Sequence, residues 1–265
     1  MVRLPKPALA LATNACNTYV KWAEFWERYY KIPMVTLDIP GSRTAAGGAA
    51  PGTDAFESDR RYLEIQLREL IAECERITGT RLDMDRLREV LDYTNRMAAA
   101  WKRVLELNRG RPALFNALVD GTVYLGVLNA LRGTREGAEY FERLVEEMEY
   151  KAAHRLGTIQ DEKYRLLFVG VPCYPIFRRF HEMFADQGGV FVASSYLWFA
   201  AGGLDLGYQY DLDRPIESMA EQILWSAQQS FSGIFFSQEW QANIVREWDI
   251  DGICFHGIKS CRTVS

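Results

Sequence analysis

The chain has 265 residues, 48% of them hydrophobic, and a formal net charge of −4, with a pI near 5.6. This composition suffices for one large or two modest cores, offers no basic footprint for nucleic acid, and contains no stretch near the roughly 20 apolar residues of a membrane span. Five widely spaced cysteines (16, 74, 173, 254 and 261) are odd in number and too sparse for a secreted disulfide framework, so reduced thiols in a cytoplasmic protein are expected.

The first residues, MVRLPKPALALATNACN, combine two cations with an apolar run, as a weak signal peptide would. ALALAT leading into a helical pattern fits a strand better. That strand, Pro7 to Thr13, ends at Asn14-Ala15-Cys16-Asn17. An amphipathic helix is predicted over 18–31, with Tyr19, Trp22, Phe25, Trp26 and Tyr29 at helical spacing. Ile32-Pro33 stops it, and MVTLDIP (34–40) is a second, buried strand. Such strand–helix–strand units belong to doubly wound α/β sheets, where ligands sit at the carboxyl ends of strands. Cys16 occupies that place.

GSRTAAGGAAPGTD (41–54) is a linker or active-site loop by composition. From Phe56 to about Arg155 the periodicity predicts a run of helices. They cover 56–79 (closed by Gly79), 82–107 (with Asp83 and Asp85 suiting the helix dipole), 113–133 and 134–156. The α/β rhythm returns with a strand over 164–172, a helix over 175–189 and a strand over 190–199. Helices over 216–231 and 237–249 and a strand over 251–261, ending at Cys261, follow. The fold expected is therefore α/β, with 1–40 in a first lobe, 41–157 as linker and helical block, and 158–265 as a second lobe.

At Cys16 a strand gives way to a helix, where free amides and the positive helix end favour thiolate. Cys261 lies between Lys259 and Arg262, which act in the same direction. Thiolates are the protein ligands of iron–sulfur clusters; a small buried residue at a strand end is the alternative at both positions. Cys173, after Val171-Pro172 at a strand end, is a third candidate ligand. Cys74, in a charged helix, and Cys254, in a buried strand, are read as structural. His256 follows the last strand, with Gly257 leaving room for a ligand, and a hydrogen-bonded strand-end histidine fits equally. Ser194, Ser195 and Tyr196 close a strand facing the same crevice, as carbonyl-binding hydroxyls or as turn formers. His154 and His181 lie among charges and are expected at the surface. Helical spacing places most of Trp22, Trp26, Trp198, Trp225, Trp240 and Trp248 in the core, with an aromatic pocket as the alternative. GxGxxG, GxxxxGK[ST], HExxH and GxSxG do not occur, which argues against an ATPase or a nicotinamide enzyme.

Three segments carry a family resemblance. ATNACNTYVKWAEFWERYYKIPMVTLDIP (12–40) resembles the second cysteine motif of the 2-hydroxyacyl-CoA dehydratase and benzoyl-CoA reductase family. Its marks are Cys-Asn, a Trp six residues on, and an Ile-Pro strand ending in Asp-x-Pro. YRLLFVGVPCYPIFRRFHEMFADQGGVFVASSYLW (164–198) looks like the family's central Gly-x-Pro, helix and second-strand element, and DGICFHGIKSCRTVS (251–265) looks like its final Ser-Cys-Arg motif. The likeness is greatest to the benzoyl-CoA reductase B-type subunits.

The resemblance implies two flavodoxin-like (Rossmann-like) lobes with a 4Fe-4S cluster between them, ligated by Cys16 and Cys261. Cys173 matches no usual family ligand. The implied partners are an acyl-CoA substrate, a paralogous cluster-bearing subunit, ATP-hydrolysing activase subunits and ferredoxin, with no nucleic acid and no membrane. Ser194, Ser195, Tyr196 and His256 would then bind the thioester or the cluster edge. The implied activity is ATP-driven one-electron reduction of an aryl-CoA of the benzoyl-CoA type, in the oxidoreductase class. The alternatives are radical dehydration of a 2-hydroxyacyl-CoA, as a lyase, and a non-catalytic electron-transfer or scaffold subunit. Family members are longer and carry another ligand cysteine upstream of the Cys16 motif, so the chain is expected to be a piece of a longer subunit.

Overall fold

The computed structural model describes residues 5–40, 49–201, 207–227 and 238–257, with backbone alone at 199 and 200. Residues 41–48 of the predicted loop and Cys261 lie outside the described residues. The chain is mixed α/β with two small parallel sheets. It divides into two compact units, residues 1–87 with 211–228 and residues 88–210 with 229–265.

In the first unit, strand β1 (Ala10–Thr13) pairs in parallel with β2 (Met34–Leu37), and helix α1 (Asn17–Tyr30) makes the crossover. Lys31, in the left-handed region at φ 55°, ends α1, and Pro33, which cannot continue a helix, follows. Ala10, Ala12, Ala23 and Ile32 form a small core. Ala23 is the one buried residue of α1. Helix α2 (Asp54–Thr78) starts on Thr53, whose hydroxyl accepts from the Phe56 amide at 3.2 Å, and ends on Gly79 at φ 69°. It packs against helix α8 (Pro215–Ala227).

The aromatic stripe of α1 is not core. Tyr19, Trp22, Phe25, Trp26 and Tyr29 are 44–68% exposed. Two four-residue strands present too little surface to cover both faces of the helix, and the small Ala23 takes the contact. Trp198 and Trp248, in the second unit, are buried as expected.

The second unit is built on a three-stranded parallel sheet in the order β4 (Gly189–Ser194), β3 (Tyr164–Gly170), β5 (Gly252–His256). Leu167, Val169, Val190 and Val192 face a large core with Trp101 and Leu105 of helix α3 (Met84–Leu107) and Phe141 of helix α5 (Arg135–Ala153). Phe168 and Phe191 face the other way, under Phe180 and Phe184 of helix α6 (Phe177–Ala185). A 3-10 turn over Tyr174–Ile176 precedes α6, and helix α9 (Gln238–Glu247) precedes β5.

Four local expectations change. The run after Ser194, predicted as strand to 199, is helix α7 (Ser195–Ala201); a short apolar run carries no period to separate the two. Only Asp120–Ala130 of the helix predicted over 113–133 forms, as α4. Residues Ala113 to Leu118 are instead an irregular buried segment. The Asn108 side chain accepts from the amides of Leu114 and Phe115 and donates to the Val192 carbonyl. Asn116 caps the amides of Leu118 and Val119 and meets His181 Nδ1 at 3.0 Å, which makes His181 a part-buried partner rather than a surface residue. Finally, β5 is half-covered: Ile253 and Phe255 are exposed and Cys254 half-buried, because one flank of β5 has no strand among the described residues.

Arg165 of β3 is fully buried. Its Nε donates to the Trp248 carbonyl at 2.9 Å, Nη1 to Gly110 at 3.0 Å and to Glu162 at 2.7 Å, and Nη2 to Arg109 at 3.1 Å and Asn108 at 3.4 Å. Each of the guanidinium's N–H groups thus has an acceptor. We expect Arg165→Leu to strip Glu162 and the helix-end carbonyls of their partner and to cost about 3–5 kcal/mol of stability, measured as a lowered urea midpoint; a loss below about 1 kcal/mol would refute the role of this cluster.

Candidate functional site

Parallel strands deliver their carboxyl ends to one edge of a sheet, and each unit has such an edge. In the first unit it is made by Asn14, after β1, and Asp38, after β2. Asn14 Oδ1 accepts from the Ile39 amide at 2.9 Å, its backbone amide donates to the Leu37 carbonyl at 3.1 Å, and its Nδ2 donates to Asp38 Oδ1. Asp38 is held in turn by α2: Gln66 accepts from its amide at 2.8 Å and donates to its carbonyl at 3.1 Å, and the Tyr62 hydroxyl donates to Oδ2 at 3.0 Å. This hydrogen bond to the Asp38 carboxylate pushes the Tyr62 phenol pKa up.

The turn so fixed carries Cys16 as the N-cap of α1. Its backbone is extended, at φ −135° and ψ 128°, and its carbonyl accepts from the amides of Tyr19 and Val20. The half-buried thiol makes no capping hydrogen bond, and no acid stands in the first turn of α1. The open amides and positive end of the helix therefore face a sulfur not committed elsewhere.

In the second unit the edge is formed by Gly170, Ser194 and His256, at the ends of β3, β4 and β5. Gly170 has φ 120°, and a Cβ there would collide with the His256 carbonyl, so only glycine allows β3 and β5 to close up at this point. The Ser195 hydroxyl accepts from the Gly170 amide at 2.9 Å, and the Ser194 hydroxyl accepts from the Tyr196 amide at 3.2 Å. Both serines are buried and set the shape of the edge. The half-buried Tyr196 reaches outward, its hydroxyl 2.5 Å from that of Tyr174.

His256 Nδ1 lies 2.5 Å from the Val171 carbonyl. A carbonyl can only accept, so Nδ1 carries the proton and the neutral ring offers Nε2 as its lone-pair nitrogen. Cys173 follows the β3 turn, and Cys254 stands on the same strand face as His256, two residues earlier. Burial pushes the Cys173 thiol pKa up. Burial raises Cys254 too, and the nearby charge of Cys173 adds to the effect. These are thiols held neutral in an edge of hydroxyl groups and one imidazole.

The structure thus gathers Cys173, Ser194, Ser195, Tyr196 and His256 on one sheet edge, while Cys16 belongs to the other unit and Cys261 lies outside the described residues. Among the described residues, no three side chains of His, Cys, Asp or Glu gather as a metal site. Sequence reasoning missed Asn14, Tyr174 and the place of Cys254. The two-residue period of a strand, which puts Cys254 and His256 on one face, was the available signal for the last. No described helix is long and apolar enough to cross a membrane.

Comparison with known proteins adds what geometry does not. The family model "2-hydroxyglutaryl-CoA dehydratase, D-component" matches residues 3–265. The B-type subunit of benzoyl-CoA reductase of Thauera aromatica is 33% identical over 273 residues, covering 98% of this chain and 60% of that protein. The alpha subunit of (R)-2-hydroxyglutaryl-CoA dehydratase of Acidaminococcus fermentans is 27% identical over 266 residues, covering 98% of this chain and 50% of that protein. The alpha subunit of lactoyl-CoA dehydratase of Anaerotignum propionicum is 25% identical over 272 residues, covering 99% and 59%. The chain therefore spans between half and about 60% of the length of these relatives.

The pairing of the two edge thiols is open to a direct check. We expect Cys173→Ser to remove a charge that disfavours the Cys254 thiolate, so that Cys254 alkylates about twofold faster or more at mildly alkaline pH. Peptide-level mass spectrometry, with Cys74 as internal reference, would contradict this by showing an unchanged ratio.

Proposed function

From the premise that the chain belongs to the 2-hydroxyglutaryl-CoA dehydratase D-component family, we propose that it is the iron–sulfur subunit of a low-potential acyl-CoA enzyme of the benzoyl-CoA reductase type. The reaction is one-electron reduction of an aryl-CoA thioester. The observation that carries this reading is Cys16, a thiol free of capping duty at an acid-free helix N-terminus. That environment fits one thiolate ligand of a 4Fe-4S cluster, with Cys261 as a second and Cys173 as a third candidate. When bound, such a cluster supplies a strong reductant close to the thioester.

The chain's own residues then bind and orient the substrate. Tyr196, hydrogen-bonded to Tyr174, donates to the thioester carbonyl, where negative charge develops on reduction. His256, with its proton fixed on Nδ1, presents Nε2 toward the same crevice. Ser194 and Ser195 hold Tyr196 and Gly170 in place. We further propose two flavodoxin-like lobes (1–40 and 158–265) around the linker and helical block (41–157), and a cytoplasmic location. The partners proposed are a paralogous subunit, an ATP-hydrolysing activase and ferredoxin. The relatives named as subunits support an assembly of this kind.

The dehydratase relatives favour a second reading, in which the electron serves catalytically to expel water from a 2-hydroxyacyl-CoA. Turnover of benzoyl-CoA against a 2-hydroxyacyl-CoA, with activase present, chooses between the two. The shared claim is tested first by iron and sulfide analysis after anaerobic purification. We expect Cys16→Ser and Cys261→Ser to lose the iron and Cys74→Ser to keep it; iron-free wild-type protein sinks the proposal. Tyr196→Phe should raise the KM for acyl-CoA about tenfold, as loss of one useful hydrogen bond implies.

A further inference from the structure

Trp198 of α7, Trp240 of α9 and Trp248 just beyond it converge on a cavity of about 290 Å³, with Leu105 and Ile244 in its wall and Arg109 at its rim. All of these residues belong to the second unit, and none serves the sheet edge described above. Trp198 stands edge-on to both other indoles, 5.1 Å from Trp240 at 86° and 5.9 Å from Trp248 at 85°.

Two features of this cavity point to a ligand. The first is the Trp248 indole N–H, which is buried and has no acceptor; Trp248 as a whole is only 2% exposed. Buried donors almost always have partners, and an orphan marks a site where water or a ligand supplies one. The second is an aromatic wall left partly open to solvent at Trp240, where π surface in contact with water gains from being covered by another ring.

The charges around the cavity select the ligand class. Lys102 and Arg109 are balanced by Glu106 and Glu247, and Arg109 already pairs with Glu247 at 3.1 Å while its guanidinium lies 5.4 Å from the Trp248 ring centroid. A net ionic ligand gains nothing here. A flat ring gains stacking on indole, and a lone-pair acceptor on that ring would satisfy the orphaned N–H. We propose that this cavity binds an uncharged planar heteroaromatic ring of the nucleobase class, its acceptor taking the Trp248 N–H and its face stacking on Trp240. The site stands independently of the acyl-CoA reading.

The probe is adenosine, titrated into the intact chain and read by tryptophan fluorescence. Cyclohexanecarboxamide, similarly polar but not planar, is the control. Saturable quenching by adenosine and none by the carboxamide is the expected result. Trp240→Leu should weaken binding about tenfold, and Trp248→Phe, which keeps a ring but lacks the N–H, about fivefold. If Trp248→Phe does not fold by circular dichroism, Arg109→Gln decides in its place, with about threefold weakening expected from the lost cation over the ring. The proposal falls if adenosine gives no saturable quenching, if the carboxamide quenches equally, or if Trp240→Leu binds as tightly as the wild type. It falls equally if the deciding variant at Trp248 or Arg109 does so.

Discussion

A guanidinium shut away from water can stay charged only while every one of its donors is answered, and Arg165 sets that condition for the whole second unit. Its acceptors include the carbonyls that follow α3, at residues 108, 109 and 110, and the one that follows α9, at Trp248. Helix C-termini leave such carbonyls without intrahelical partners, so one side chain ends two helices. The backbone of Arg165 also exchanges hydrogen bonds with Asp251, at the start of β5. The register of β3 on β5 follows from that anchor and brings Gly170 opposite His256 at the far end. The chemistry of the carboxyl edge is thus positioned from the amino edge.

The two strand-end sites differ in what they favour. At Cys16 the helix end presents open amides without a competing acid, so the local field favours negative charge on sulfur or on whatever sulfur binds. At the second edge burial works against charge on Cys173 and Cys254, and the accessible groups are a phenol, an imidazole nitrogen and backbone. The first suits ligation of a cationic centre, and the second suits neutral hydrogen bonding to a carbonyl. Both follow from the same α/β rule that strands deliver ligand-binding residues at their carboxyl ends.

Much of this was legible in the order of residues. The strand, cysteine turn, helix and second strand over 10–37 declare themselves through the change of period and through Pro33, and the positions of Cys16, Ser194 and His256 at strand ends follow. The irregular segment from Ala113 to Leu118 was not legible. Its apolar spacing suits a helix, and it stays irregular because Asn108, Asn116 and the Phe191 carbonyl supply its hydrogen bonds across long separations. Periodicity likewise marks the stripe on α1 without saying what lies opposite it, so the exposure of Trp22 and Trp26 could not be read from spacing. The Tyr196–Tyr174 contact joins two loops that neither local pattern mentions.

The lock beneath Cys16 has a consequence for how this region tolerates change. Asn14 and Asp38 share one hydrogen bond, and Gln66 and Tyr62 close on the same aspartate. Residues in one network do not vary independently: once Asp38 is replaced, the amides and carbonyls it ordered are already loose, and a second change at Asn14 or Gln66 removes little more. Drift at these positions is therefore expected to be correlated, with substitutions at Asn14 acceptable only in company with changes at Asp38. The cysteine turn inherits its steadiness from that epistasis.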